Sequence, residues 1–266
     1  MANTQPHRQP SWQALFSALM FGYMYLPIVV LAVYSVNQSA YSAGWTGFSL
    51  RWYRKLWADG RIFRALEHSL GVAGVAVAIA ALLGTLMAVG LAKYRFPGQA
   101  LYRGVAYLPL IVPDIAIAVS TLIFLAVVGI QLSLWTIVAA HVVFCLAYVA
   151  IVVSSRLTNL DPHLEEAALD LGATPTEAFI KVLLPELAPA IIAGCLLAFV
   201  LSMDDFLIAS FTAGTGATTL PMEIFSRIRT GVKPDINALS VLLILGSGLL
   251  ACGAEYLRFK GEQRRS

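Results

Sequence analysis

Hydrophobic and polar positions along the chain alternate in long blocks. Six apolar runs, at about 14–36, 69–92, 104–128, 132–154, 188–211 and 237–257, each approach the ~20 residues that a helix needs to cross a bilayer core. The link between the third and fourth runs is only a few residues, which predicts two antiparallel neighbours. In the second run Ala76, Ala80, Gly84, Ala88 and Ala92 fall at every fourth position, a stripe along which helix backbones can approach closely. Pro109 and Pro113, one turn apart in the third run, predict a kink with freed backbone carbonyls.

One polar segment breaks the pattern. Residues 161–185 carry two sets of helix punctuation between the fourth and fifth runs. Asp161 can cap a helix with Pro162 at its first position, and Gly172 can end it in the left-handed conformation. Thr174-Pro175-Thr176-Glu177 then reads as a capping box. A second short helix is expected to run to Leu184 and stop at Pro185, with Phe179, Ile180, Val182 and Leu183 as its apolar surface.

Composition agrees with the pattern. Of 266 residues, 59% are hydrophobic and 12% charged, about half the charge of an ordinary soluble domain. The expectation is an all-α integral membrane protein, a single domain over 1–266, with six transmembrane helices and a loop at 155–187 bearing the helix pair. A net charge of +3, spread along the chain, gives no footprint for nucleic acid. Cys145, Cys195 and Cys252 lie in apolar runs and suggest neither a disulfide framework nor a metal site. His141 and Cys145 share a helix face, but no third ligand accompanies them.

Lys and Arg orient the spans. Ten (Arg8, Lys93, Arg95, Arg103, Arg156, Lys181, Arg258, Lys260, Arg264 and Arg265) fall on the side of the termini and eight on the other. The 93–103 loop and the C-terminal tail favour cytoplasmic termini, which puts the polar segment in the cytoplasm. In the first outer loop, Ser49 can cap a short amphipathic helix with Leu50, Tyr53, Leu56 and Trp57 on one face.

Candidate chemistry is sparse. No Walker-type phosphate loop occurs, and Gly214-Thr215-Gly216 lacks the lysine that such a loop needs. No catalytic constellation is recognisable. Within the six runs there is no Lys or Arg, and apart from Glu255 near the end of the last run there are three carboxylates: Asp114, Asp204 and Asp205. An intramembrane charge costs at least ~2.5 kcal/mol at a helix centre, so these acids should face water or protein. They suit a cationic cargo with separated ammonium groups, and Phe206, Phe211 and Tyr107 could add cation–π contacts. Glu223, in a short outer helix ending near Gly231, is a lesser candidate for meeting such a cargo.

Glu166-Ala167-Ala168, Gly172 six residues on, and Val182, Leu184 and Pro185 resemble the EAA loop of the permease subunits of ABC importers. The usual isoleucine is Val182 here. The resemblance covers most of the chain. Trp45-Thr46-Gly47, Pro113-Asp114, His141 with Phe144-Cys145, Ser202-Met203-Asp204-Asp205 and Asn237-Ala238-Leu239 are similar to the spermidine/putrescine branch. It implies the type I importer permease fold in a bacterial inner membrane, with no cofactor on this chain. Glu166, Ala167, Ala168, Gly172, Val182, Leu184 and Pro185 would couple to an ATPase, and Asp114, Asp204, Asp205 and Phe206 would line half of a polyamine pathway. The implied partners are a sister permease in a heterodimer, two ATPase subunits carrying ATP–Mg and a periplasmic solute-binding protein. Alternatives are the same architecture for an iron, sulfate or phosphonate cargo, and a proton-coupled secondary carrier, although no inverted repeat is visible.

Overall fold

A computed structural model describes residues 11–39, 44–161, 163–231 and 234–263. Pro162, Arg8, Lys233, Arg264 and Arg265 lie outside the described residues, as do the side chains of Cys252, Arg258 and Lys260. The described chain is helical. In order it forms α1 (Ser11–Ser35), α2 (Arg51–Trp57), α3 (Gly60–Lys93), α4 (Gln99–Tyr107), α5 (Asp114–Val128), α6 (Leu134–Thr158), α7 (His163–Asp170), α8 (Pro175–Ala178), α9 (Leu184–Asp204), α10 (Leu207–Thr212), α11 (Leu220–Arg229) and α12 (Pro234–Gln263). Among the described residues, the helices of 12–35, 60–93, 134–158 and 175–204 are each long and apolar enough to cross a membrane. The apolar part of α12 described at side-chain level is Pro234–Leu249.

The chain divides into two compact units, residues 1–60 with 224–266, and 61–223. In the first, α12 packs against α1 and α2. A hook follows α1: Asn37, fully buried, donates from Nδ2 to Gly44 O at 2.6 Å and accepts at Oδ1 from the Thr46 N–H at 3.0 Å. Trp52 Nε1 donates to Asn37 O at 2.8 Å, which pulls Trp52 inward. The inner face of α2 is therefore Trp52 and Leu56, with Trp57 and Leu50 exposed, rather than the face expected from spacing alone. The alternation of a seven-residue helix cannot register one indole-to-carbonyl bond. Asp235, 5% exposed at the start of α12, lies 3.4 Å from Lys55 and 3.6 Å from Arg227, which also pairs with Asp59 at 2.7 Å. This buried acid sits two residues before the sixth apolar run and was not among the expected candidates.

In the second unit α6 is the central helix. Phe144, Cys145, Val149, Ala150 and Val153 on α6 share a core with Ala80, Ala88 and Val89 of α3, Ala118 of α5, Leu187 and Ala198 of α9 and Ile208 of α10. The small-residue stripe makes this packing possible. Ala76, Ala80, Gly84 and Ala88 are buried, whereas Ala92 is exposed. A Cβ on Gly84 would stand 2.9 Å from Leu146 O and 3.1 Å from Val149 Cβ. Gly84→Ala is expected to push α3 off α6 and cost about 1–3 kcal/mol, the usual penalty of overpacking. A thermal melt of the detergent-solubilised protein measures it, and an unchanged midpoint refutes the close contact.

Two expected spans are interrupted. The third run breaks after a 3₁₀ turn at Leu108–Leu110, and the 99–110 and 114–128 segments meet at 109°. Pro109 and Pro113 explain this: each lacks an N–H, and Pro113, extended at φ −57° and ψ 138°, cannot continue the helix before it. The fifth run breaks at Asp205, which is extended (φ −68°, ψ 122°) between α9 and α10. α10 packs against both α5 and α6, so α5 has α10 rather than α6 as its main partner. Gly214 follows α10 where a Cβ would lie 1.9 Å from Leu132 O. Close passage past the start of α6 requires glycine there.

The polar segment folds largely as its punctuation predicts. Asp161 Oδ1 accepts from the His163 N–H at 2.9 Å. At the end of α7 Ala173 N donates to Ala168 O and Gly172 N to Leu169 O, with Gly172 at φ +88°, a Schellman ending. Thr174 and Glu177 form the capping box in both directions. The expected stop at Pro185 does not occur. From Pro175 the chain runs through a π-helical turn, Phe179–Leu183, straight into α9. The wider turn, in which the Leu184 N–H reaches Phe179 O, relieves the clash that Pro185 would make with a tight preceding turn.

Candidate functional site

The two helix breaks open onto one cavity of about 280 Å³. Its wall comprises Pro109 and Asp114 from the first break, Phe144 and Tyr148 from α6, and Leu201, Asp204, Asp205, Phe206, Leu207 and Ile208 around the second. The structure thus brings together all four residues expected on the pathway, Asp114, Asp204, Asp205 and Phe206. No lysine or arginine contributes to the wall. Of the other aromatics considered, Tyr107 and Phe211 pack against the core instead, and the Tyr107 hydroxyl lies 3.1 Å from Ser154 Oγ. Phe144 and Tyr148 take their place. Phe144 was named only within the resemblance and Tyr148 not at all, because no acid marks that part of α6.

The three carboxylates are not equivalent. Asp114, at the first position of α5, and Asp204, the last residue of α9, are both exposed, and no described residue hydrogen-bonds or pairs with either. Asp205 is engaged. Its side chain is 9% exposed, Oδ1 accepts from the Ile208 N–H at 3.2 Å and Oδ2 from the Ala209 N–H at 2.7 Å. Those are orphan donors at the start of α10, which a carboxylate satisfies well. Behind it, His141 Nε2 lies 3.2 Å from Asp205 Oδ2, close but not aligned as a hydrogen bond, while Nδ1 is 2.7 Å from Ser202 Oγ. His141 is therefore packed on acid and hydroxyl. Cys145 Sγ faces Ala198 O at 3.7 Å, and among the described residues no three His, Cys, Asp or Glu side chains could hold a metal.

The second surface is the segment around α7. Lys93 at the end of α3 pairs with Glu165 and tethers it. Glu166 and Ala167 are exposed, Ala168 is half-buried, and Gly172 is exposed at the turn. Leu171, just before Gly172, is 90% exposed. An apolar side chain so displayed between polar neighbours is the residue that sequence reading passed over. Val182 and Leu184 are partly buried, Val182 lining a cavity of about 240 Å³ behind α7. They support the segment from below, and Pro185 is exposed on the α9 side.

The charges here are consistent with a solvated surface. The His163 imidazole titrates above its usual range because Glu166 hydrogen-bonds it, with Asp161 adding to the effect. Glu177 is pulled down to about 2 by Lys181 and by the backbone and hydroxyl of Thr174. The depressed value means that the cap is fully present above the ordinary carboxylate range, near 4.5, and is lost as pH falls through about 2. Protection of the 176–178 amides against hydrogen exchange, taken relative to the intrinsic rate at each pH, is expected to fall on that descent, and Glu177→Gln is expected to flatten the response. A pH-dependent loss that persists in Glu177→Gln would remove Glu177 as its cause.

The helical arrangement is similar to that of a solved importer. A bacterial ABC transporter involved in the import of the acidic polysaccharide alginate superposes with a TM-score of 0.74, covering 95% of this chain and 99% of that one at 14% identity. At that identity the likeness is one of fold, the type I ABC importer permease fold. Residues 80–254 match the family described as binding-protein-dependent transport system inner membrane component, and the chain belongs to that family of multi-pass inner-membrane proteins. Sequence relatives extend the match. The chain is 43% identical over 270 residues to the putrescine transport system permease protein PotI of Escherichia coli (strain K12), covering 99% of this chain and 96% of the relative. It is 40% identical over 230 residues to the spermidine/putrescine transport system permease protein PotC of Haemophilus influenzae, covering 86% and 90%.

Proposed function

We propose that this chain is a permease subunit of an ATP-driven polyamine importer, carrying putrescine, spermidine or both, and forms half of the translocation pathway. The observation that carries the reading is the cavity at the helix breaks, with three acids, three aromatic rings and no cation on its wall. Unengaged carboxylates on both breaks supply counter-charges for separated ammonium groups, and the rings supply cation–π faces. A sulfate-type anion finds no positive group there. The names of the two relatives agree with a cationic cargo.

The proposal includes six spans, with the broken third and α12 counted among them, and both termini in the cytoplasm. A sister permease completes the pathway, and a periplasmic solute-binding protein delivers the cargo, in keeping with a binding-protein-dependent family. Two ATPase subunits bind ATP–Mg, and one of them docks on the α7 segment, where Glu166, Ala167 and Gly172 face outward. Their closure drives alternating access through the continuous helix from Pro175 to Asp204. The test is uptake by proteoliposomes containing the whole complex, with putrescine, spermidine and sulfate as competitors. Competition by the two polyamines is expected. Competition by sulfate alone overturns the cargo, and uptake driven by a proton gradient without ATP overturns the class.

A further inference from the structure

We infer that His141 is a positioning residue for the transport site: its imidazole bridges the two sides of the α9–α10 break and thereby aims Asp204 into the cavity. The inference rests on the reading of that cavity as the polyamine site.

Three observations lead to it. First, His141 is 1% exposed yet projects both ring nitrogens toward one feature, the break. Nδ1 meets Ser202 in the last turn of α9, and Nε2 meets Asp205 in the extended residue beyond it. Second, a chain leaving a helix at an extended residue has two free dihedrals with which to swing. Asp205 removes part of that freedom by accepting from the α10 amides, which fixes the far side of the break but not the near side. Among the hydrogen bonds and ion pairs of the described residues, the imidazole alone reaches both Ser202 and Asp205. Third, α6 holds α10 independently at its other end, where Thr136 Oγ1 donates to Thr212 O at 2.7 Å. With α10 held to α6 at its far end, the last turn of α9 is the side of the break that the bonds of Asp205 leave unfixed, and Asp204 is its final residue.

The off-line geometry of Nε2 sharpens the argument. A buried ring nitrogen that forgoes a well-aligned hydrogen bond is costly and persists where other constraints decide its place. Here the constraint is the simultaneous reach to Ser202 and Asp205, with the ring also tilted against Phe144 on the cavity wall at 5.1 Å between centroids. Phe144 therefore moves if His141 moves, so ring and carboxylate are aimed together.

The test uses the complete transporter in proteoliposomes, with His141 replaced by Ala, Gln or Asn. The terminal amide of Gln reaches about where Nε2 is and keeps a donor toward Asp205, whereas that of Asn matches only Nδ1. His141→Ala is expected to lower uptake by about 10-fold, the scale of a displacement well under 1 Å at a binding group, and to blunt discrimination between putrescine and longer diamines. Neither amide reaches Ser202 and Asp205 together, so His141→Gln and His141→Asn are both expected to recover little of either, even where they refill the space. Complex yield and melting midpoint are measured alongside. Recovery of uptake and diamine discrimination by either amide overturns the inference and leaves a packing role. A second readout needs no transport. In a background with Asp204→Cys and the native cysteines replaced by serine, the rate of labelling at 204 by a cationic thiol reagent should change with His141→Ala and stay changed with His141→Gln. An unchanged rate overturns the inference. If labelling responds but Asp204→Asn transports normally, His141 does aim residue 204 and the cavity is not the polyamine site.

Discussion

Asp204→Asn is expected to lower polyamine uptake by about 10- to 100-fold, with the complex assembled at its normal level. The carboxylate ends α9, faces the cavity and is engaged by no described residue, so its removal leaves nothing unpaired behind. What is lost is a charged contact with a passing ammonium group, worth about 1.5–3 kcal/mol, and each 1.4 kcal/mol is tenfold. Asp205→Asn should behave differently although it is the adjacent residue. Its two oxygens accept from Ile208 and Ala209, and an amide would turn a donor against one of those N–H groups. The expected cost is about 1–3 kcal/mol of stability, seen as reduced yield and a lower melting midpoint, with a smaller loss of uptake per assembled complex. Asp114→Asn should resemble Asp204→Asn. If the two acids hold opposite ends of one cargo, the double variant should lose less than the product of the single losses. Uptake by Asp204→Asn within about twofold of wild type at equal assembly, less than 0.5 kcal/mol, excludes the residue from the pathway.

The contrast between Asp204 and Asp205 shows where the sequence stopped being informative. Charge scarcity in apolar runs pointed to Asp114, Asp204 and Asp205, since an intramembrane acid needs a reason. Adjacency on a continuous helix could not say which was open, because the helix is not continuous there. No proline or glycine marks the break at 205. It is stabilised by contacts from α6, 60 or more residues away in sequence, and such tertiary bonds leave no local signature. The break in the third run was half legible: Pro109 and Pro113 predicted a kink, but not that the two segments meet at 109°. The polar segment was almost wholly legible, because caps, a glycine at positive φ and a capping box are local devices. Its one misreading, a stop at Pro185, arose because a π-helical turn accommodates a proline that a regular helix would not.

Leu171→Asp is expected to detach the ATPase subunit docked on this chain while leaving the permease folded. Burying a leucine contributes about 1.5–3 kcal/mol, and this one, 90% exposed in the isolated chain, has that burial still to gain at a docking surface. Its loss, with a carboxylate in its place, should weaken ATPase retention on the purified complex by about 10- to 100-fold. Gly172→Asp should act by a different route. A Cβ meets nothing within 4 Å, but the φ of +88° is one that an L-residue reaches at a cost of roughly 1–2 kcal/mol. The strain falls on the Schellman turn that joins α7 to the long helix ending at Asp204, so the docked ATPase would hydrolyse ATP without moving the cavity. Binding-protein-stimulated hydrolysis should therefore persist while uptake falls. Gly172→Ala, equally strained in backbone but uncharged, should share the defect if the turn is responsible. A defect confined to Gly172→Asp would make charge at the interface the cause. Full retention of the ATPase by Leu171→Asp would move the docking surface away from this turn, because no other side chain at the end of α7 displays comparable apolar area.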